Sequence, residues 1–448
     1  MTFARLARQS LSRLSLSEVL RWGFLVMLPL AVLGSVAAWP GLRTLSAFRI
    51  LFVALGFVAA YWILYHRRFP RRVYVTPFLL FLALWLAWTL VSLIWAADKT
   101  SGIRYSIFLL MMASLAGGSV LAINSVKALR AALLLLLVVF GAALAVGLLE
   151  ILTDLRLPTS GLVGRPDRYQ WAITSIFHNQ NDFATYIALW LPFLLAVPFF
   201  ARRVSALLAA IAGSLLSVYC LLYTGSRTNL LALALTVPSL LLILAIRKGT
   251  HSRWWQWVLG IALVCAVVFA AYLGMQGALP GFRLPDIGIQ HWRFDTLSTE
   301  MEAGTGSGGT RLKLIAGGLA AALDSRLLGV GPGNAEYHLR QMPGLETVYN
   351  LHNWWLEVLV NGGLLVFAGY LLFYAGLVWG LFRVAVKTKR ALMAFAATAL
   401  LAALAGYTFG ALSPSSAIHF TPMWIHFGLS MAVINLHRKH RAQSHVEV

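Results

Sequence analysis

Only two cysteines, Cys220 and Cys265, occur among 448 residues, and both lie inside long apolar runs. A disulfide framework is therefore not what organises this chain, and the two read as small apolar fillers. Acidic side chains are also scarce, 15 against 36 Lys and Arg, for a formal charge of +21. In a soluble protein that balance would suggest nucleic acid. With 60% hydrophobic residues and a mean hydropathy of +0.78 it points to a membrane instead, where flanking Lys and Arg set orientation. No His, Cys, Asp and Glu cluster has the spacing of a zinc or iron site, and there is no Walker A loop or dinucleotide fingerprint. No metal and no cofactor is expected. Asp295, Glu300 and Glu302 could gather a hard cation, but they lie just before and within the glycine-rich stretch STEMEAGTGSGG (298–309) and read as solvated loop charges. At mid-depth the apolar runs are nearly free of ionisable groups, Glu357 and His426 being the exceptions, each only a turn or two in from the outer end. An ion-coupled transporter should carry more of them near mid-depth. No internal repeat of the transporter kind is visible.

What the chain has in abundance is long hydrophobic stretches. A span needs about 20 mostly apolar residues. Such stretches fall near 20–39, 45–65, 76–96, 104–123, 128–150, 183–200, 204–223, 229–246, 254–273, 353–382, 391–411 and 420–436. The expected fold is all-α, a single integral membrane domain over 1–448 with about twelve spans. The first is too long, and too poorly followed by a small-residue cleavage site, for a removable signal. Threaded with the N-terminus in the cytoplasm, the short cytoplasmic segments carry most of the cations, as in HRRFPRR (66–72). Every acid except Glu18 and Glu447 then falls on the outer side. That bias predicts both termini in the cytoplasm and all candidate chemistry outside.

Two outer connections are long, about 151–182 and 274–352, and loops of that length are usually functional or disordered. The second is expected to contain a short helix over 310–324 with Thr310 as its N-cap, and a tight turn in LLGVGPGN (327–334). Four outer motifs stand out. FHNQND (177–182) opens the sixth span, with His178 and Asp182 four apart as if on one helical face; a capped helix start explains the pattern equally well. TGSRTN (224–229) puts Arg227 on an outer turn, against the orientation signal. A snorkelling arginine is the plain explanation, and an anion-binding guanidinium the preferred one. GTRLK (309–313) sets Arg311 at the expected start of a helix, where a cation is disfavoured unless a negative partner is near. LHNWWLEVLVNGG (351–363) places His352 at a helix N-terminus, whose dipole favours the neutral ring, a form able to act as a general base. Trp354 and Trp355 there suit an interfacial anchor, and Glu357 is badly spaced to pair directly with His352.

Taken together, FHNQND with Ala184, Ser226–Arg227, the arginine-led helix at 311, LLGVGPG at 327–333 and His352–Asn353 with Gly362 and Gly363 resemble the O-antigen ligase and polymerase superfamily. The motifs stand in that family's order across roughly 177–363. The resemblance implies a membrane glycosyltransferase of the GT-C kind, with a large periplasmic loop at 274–352 that contains short helices. The implied donor is a glycan on undecaprenyl pyrophosphate. In the ligase branch the acceptor is the lipid A–core oligosaccharide at the periplasmic face of the bacterial inner membrane, completing lipopolysaccharide. Membrane lipids are the surroundings and nucleic acid is not a partner. The family's essential residues correspond to Arg227, Arg311 and His352. The two arginines would stabilise the pyrophosphate and His352 would be the base, in an inverting transfer without metal. Arg165, Arg168, His178 and His338 are weaker candidates for substrate binding.

An O-antigen polymerase using the same donor is the nearest alternative, followed by a protein-directed oligosaccharyltransferase. The short stretch HRKHRAQSHVEV after the last span favours the lipid A–core ligase over the latter. From another class, a lipid-linked glycan flippase would need a path that alternates between the two sides.

Overall fold

The computed structural model describes residues 15–39, 42–66, 73–164, 172–247, 302, 306–345, 350–414 and 417–444. Its helices are α1 (Leu16–Leu33), α2 (Ala47–His66), α3 (Thr76–Ser92), α4 (Lys99–Ala122), α5 (Val126–Thr153), α6 (Gln180–Phe200) and α7 (Val204–Tyr223). There follow α8 (Arg227–Ile246), α9 (Gly306–Asp324), α10 (Ala335–Leu339), α11 (Trp354–Lys387), α12 (Ala391–Gly410) and α13 (Thr421–Ser444). A two-stranded antiparallel ribbon, β1 (Ala38–Trp39) and β2 (Leu42–Ser46), joins α1 to α2. The protein is an all-α, multi-pass membrane protein.

Eleven of the twelve expected spans fall on described helices, and the remaining one, 254–273, lies outside the described residues. Nine described helices are long and apolar enough to cross a bilayer. The other two differ for physical reasons. Helix α3 is only 17 residues long. Helix α13 carries His426, Ser430 and Asn435 in its apolar half, yet Pro422 through Leu436 are all buried, so its polar groups face other helices and not lipid.

Burial sorts the helices into a centre and a rim. In α6 and α13 the middle of the helix is buried on all sides, over 183–193 and 422–436, and the alanine-rich α12 packs between α6 and α8 with small side chains that allow close approach. Helix α2 is the opposite: Phe57 is 73% and Leu64 76% exposed, as a lipid-facing helix requires. At the end of the bundle remote from His352, cationic side chains bind backbone carbonyls. Arg247 donates to Ala385 and Thr388 near the end of α11, Arg438 to Tyr74 (2.7 Å) and Lys439 to Asn124 (3.2 Å). At the end of α11 the helix leaves such carbonyls free and favours positive charge.

A second, smaller apolar core sits beside the main one. Leu314, Ala321 and Ala322 of α9 pack with Val330, Ala335, Leu339 and Leu345, and with Leu356 and Val360 at the start of α11. The segment after residue 306 is therefore a packed cap with its own core, resting on α11.

Candidate active site

The cap is fastened at a break in α11. Gly363 has φ 78° and ψ 179°, so the helix unwinds there and its backbone groups need other partners. The glycine turn 327–334 supplies them. Val330 N donates to Val360 O at 2.8 Å, and Leu364 N donates to Leu327 O at 2.8 Å. Asn361 Oδ1 accepts from Ala335 N at 3.0 Å, and Trp88 Nε1 donates to Gly362 O at 2.8 Å. A Cβ on Gly363 would overlap the Leu328 carbonyl, so the turn and the break fit only because side chains are absent from both. Trp95 Nε1 reaches Gly329 O (2.9 Å), and Asn334 bonds the Asp98 backbone through both ends of its amide (2.6 and 3.0 Å). One motif of the cap is thus held both by α11 and by the connection between α3 and α4.

This fastening orients α9, and with it Arg311. Nη1 of Arg311 donates to Thr228 Oγ1 at 2.9 Å, next to Arg227 at the start of α8. Arg227 follows a turn made by Thr224, Gly225 (φ 67°) and the N-cap Ser226. Burial and the neighbouring Arg227 charge both hold the Arg311 guanidinium below its ordinary pKa. Two like charges are therefore close together in a desolvated place, an arrangement that an anion between them would relieve.

His352 lies beside them. It precedes Asn353, whose side chain caps α11 by accepting from Leu356 N at 3.2 Å. Its own backbone is left-handed (φ 49°), and its N–H donates to Asn350 Oδ1 at 3.1 Å. Such a conformation is uncommon for a residue with a Cβ and costs energy that the surrounding contacts must hold. Burial and the Arg311 charge push the imidazole down to about 4, against the opposing effect of the Pro414 and Ser413 backbone. The ring is neutral at pH 7. Its Nδ1 is buried without a hydrogen-bond partner among the described residues. Arg227, Arg311 and His352 are therefore drawn together from three elements: α8, the cap and the approach to α11.

The other expected residues are placed differently. His178 does not share a helical face with Asp182. Asn179 caps α6, its side chain accepting from Asn181 N at 2.7 Å, so His178 precedes the helix. The His178 ring is exposed and lies 3.0 Å from Thr159 O. His338 on α10 interacts with Asp324 at the far end of α9. Asp324 is about 20 Å along the helix axis from Arg311 at 1.5 Å per residue, so His338 is not gathered with the other three. Arg165 and Arg168 lie outside the described residues, as do Asp295 and Glu300. Helix α9 begins at Gly306, not at 310. Thr310 is therefore not its N-cap, and Arg311 stands in the second turn. Gly308 and Gly309 are buried, so packing of the cap extends the helix through residues of low propensity. Among the described residues no group of His, Cys, Asp or Glu is arranged to hold a metal ion.

Sequence reasoning missed Thr228, which holds Arg311, and Ser413, which backs His352. Thr228 adjoins Arg227 in the SRTN motif and could have been suspected. Ser413 sits in a connection with no motif of its own.

Two guanidinium groups and a neutral imidazole are thus gathered at one end of a helical membrane bundle, an arrangement suited to an anionic ligand. Residues 212–371 match the family model described as O-Antigen ligase. Arg227, Arg311, His338 and His352 fall inside that match, whereas Arg165, Arg168 and His178 precede it. The chain is also 28% identical over 406 residues to the teichuronic acid biosynthesis protein TuaE of Bacillus subtilis (strain 168), across 90% of this chain and 81% of that protein. The chain is thus similar, over 212–371, to the O-antigen ligase family and, over most of its length, to a protein of bacterial polysaccharide biosynthesis.

Proposed function

We propose that the protein moves a glycan from undecaprenyl pyrophosphate onto the lipid A–core oligosaccharide, with His352 as general base and Arg227 and Arg311 as ligands of the pyrophosphate. The observation that carries this reading is the neutral imidazole of His352 beside two clustered guanidiniums. An acceptor hydroxyl attacks the anomeric carbon. The bond from that carbon to the phosphate oxygen breaks, and its electron pair leaves on the diphosphate. The hydroxyl proton passes to His352. One displacement inverts the anomeric carbon, and no covalent enzyme intermediate is required. Charge grows on the bridging phosphate oxygen as the bond breaks, and fixed donors aimed at it stabilise the transition state by about 3–4 kcal/mol each. Arginine suits this task because its planar fork bonds phosphate bidentately. Neither metal nor nucleotide sugar takes part. Arg165, Arg168, His178 and His338 would contact more distant parts of the two substrates.

The charge bias of the loops supports an inner-membrane protein with both termini cytoplasmic and the site on the periplasmic side. A second reading, polymerisation of lipid-linked glycans, is supported by the relative named for teichuronic acid biosynthesis, a name that mentions no lipid A. The two readings share donor, base and clamp and differ only in the acceptor. Purified protein incubated with lipid-linked glycan and either core lipid A or a second lipid-linked glycan separates them. Lengthening of core lipid A supports the ligase. Lengthening of the lipid-linked glycan alone overturns it in favour of the polymerase, and movement of intact donor between leaflets without transfer would make the protein a flippase.

A further inference from the structure

Beneath the three site residues lies a buried polar cluster. Asn229, two residues after Arg227 on α8, turns its Nδ2 toward Thr185 Oγ1 of α6 (3.2 Å), Ser226 Oγ (2.9 Å) and Ser413 Oγ (2.9 Å). The two serine hydroxyls are 3.1 Å apart. Asn229, Thr185 and Ser413 are fully buried and Ser226 nearly so. The Thr185 hydroxyl proton is committed to Asn181 O at 2.8 Å, so toward Asn229 that oxygen can only accept. This fixes the amide with its nitrogen on the hydroxyls and Oδ1 turned away. Oδ1 has no hydrogen-bond partner among the described residues.

Burying an amide with an unused acceptor is unfavourable, and apolar packing would join these helices at lower cost. What the amide adds is a fixed geometry between particular pieces of backbone. Ser226 is the N-cap directly before Arg227, Thr228 directly after it holds Arg311, and the backbone at Ser413 lies against His352.

We propose that Asn229 is a positioning residue, whose single carboxamide sets the spacing between the arginine pair at the start of α8 and the Ser413 segment that supports His352. The inference rests on the roles assigned above to Arg227, Arg311 and His352. Without the amide the α8 turn and the 411–414 segment move independently, and the base loses its registration with the leaving group. Misplacement of reacting groups by about 1 Å costs up to a hundredfold in rate.

The test is steady-state transfer by the full-length protein in nanodiscs, with Asn229→Ala, Asn229→Asp and Ser413→Ala beside wild type and His352→Ala. Asn229→Ala should lower kcat by about ten- to a hundredfold, with the donor KM within about twofold of wild type, because clamp and base persist but are misaligned. Ser413→Ala removes one strand of the same tie from outside the helices and should act in the same direction, so the inference stands or falls even should the Asn229 variants fold poorly. Asn229→Asp keeps the shape but replaces the Nδ2 donors by an acceptor and should lower kcat in the same direction. A purely structural role would reduce the folded fraction but leave kcat per folded molecule unmoved. That result, or wild-type kcat in both alanine variants, overturns the inference. Full activity of His352→Ala would instead overturn the underlying assignment of the base.

Discussion

Replacing Thr228 by valine isolates the contribution of Arg311's orientation. The two side chains have nearly the same shape, and Thr228 is largely buried, so packing is kept and only the acceptor 2.9 Å from Arg311 Nη1 is removed. A hydrogen bond to a charged group is worth about 1.5–3 kcal/mol. The loss falls on a guanidinium that is already desolvated and repelled by Arg227. If all of that energy is used to aim Arg311 at the departing diphosphate, transfer slows by about ten- to a hundred-and-fiftyfold. Thr228→Ser keeps the acceptor and should retain most of the rate. The assay is turnover of lipid-linked glycan by purified protein, with thermal stability measured alongside. A valine variant that works at the wild-type rate while Arg311→Ala is inactive would refute the claim that this bond aims the arginine.

His352 is held at about 4, so kcat/KM for transfer should stay flat from neutral pH down to about pH 5 and fall below it; an acid limb near 6.5, the value of an unperturbed imidazole, would mean that the ring is not so buried in the working enzyme. Donor binding brings negative charge next to Arg311 and His352, so the limb of kcat should lie above that of kcat/KM. Gly363→Ala forces a methyl into the Leu328 carbonyl at a left-handed φ and should detach the glycine turn, read as a loss of transfer with increased proteolysis within 306–345; unchanged activity would show that the turn does not hold the cap. Exhaustive chelation should leave the rate unchanged, and a strict need for a divalent metal would contradict a clamp made of arginines.

Most of the membrane architecture was legible because hydrophobic length is a strong signal: α5, α6, α7 and α8 each begin and end within a few residues of the apolar runs. The cap was harder to read. Its helix α9 starts in GSGG, which propensity alone assigns to a loop, and only burial against α11 explains it. Arg227, Arg311 and His352 were legible as motif residues out of place for their local setting: a cation against the orientation signal, a cation among glycines, a histidine before a tryptophan pair. Their proximity was not legible, because it depends on the fit between 327–334 and the break at Gly363, which joins segments about thirty residues apart by shape. His178 misled for the reverse reason. A spacing of four implies a shared face only inside a helix, and Asn179 starts the helix one residue too late.

The most direct test is a structure of the protein with a non-transferable polyprenyl diphosphate glycan bound. Phosphate oxygens should lie within hydrogen-bond distance of both Arg227 and Arg311, with the His352 ring facing the side of the anomeric carbon opposite the diphosphate. A diphosphate seated elsewhere, with His352 closed off from the sugar, would contradict the account.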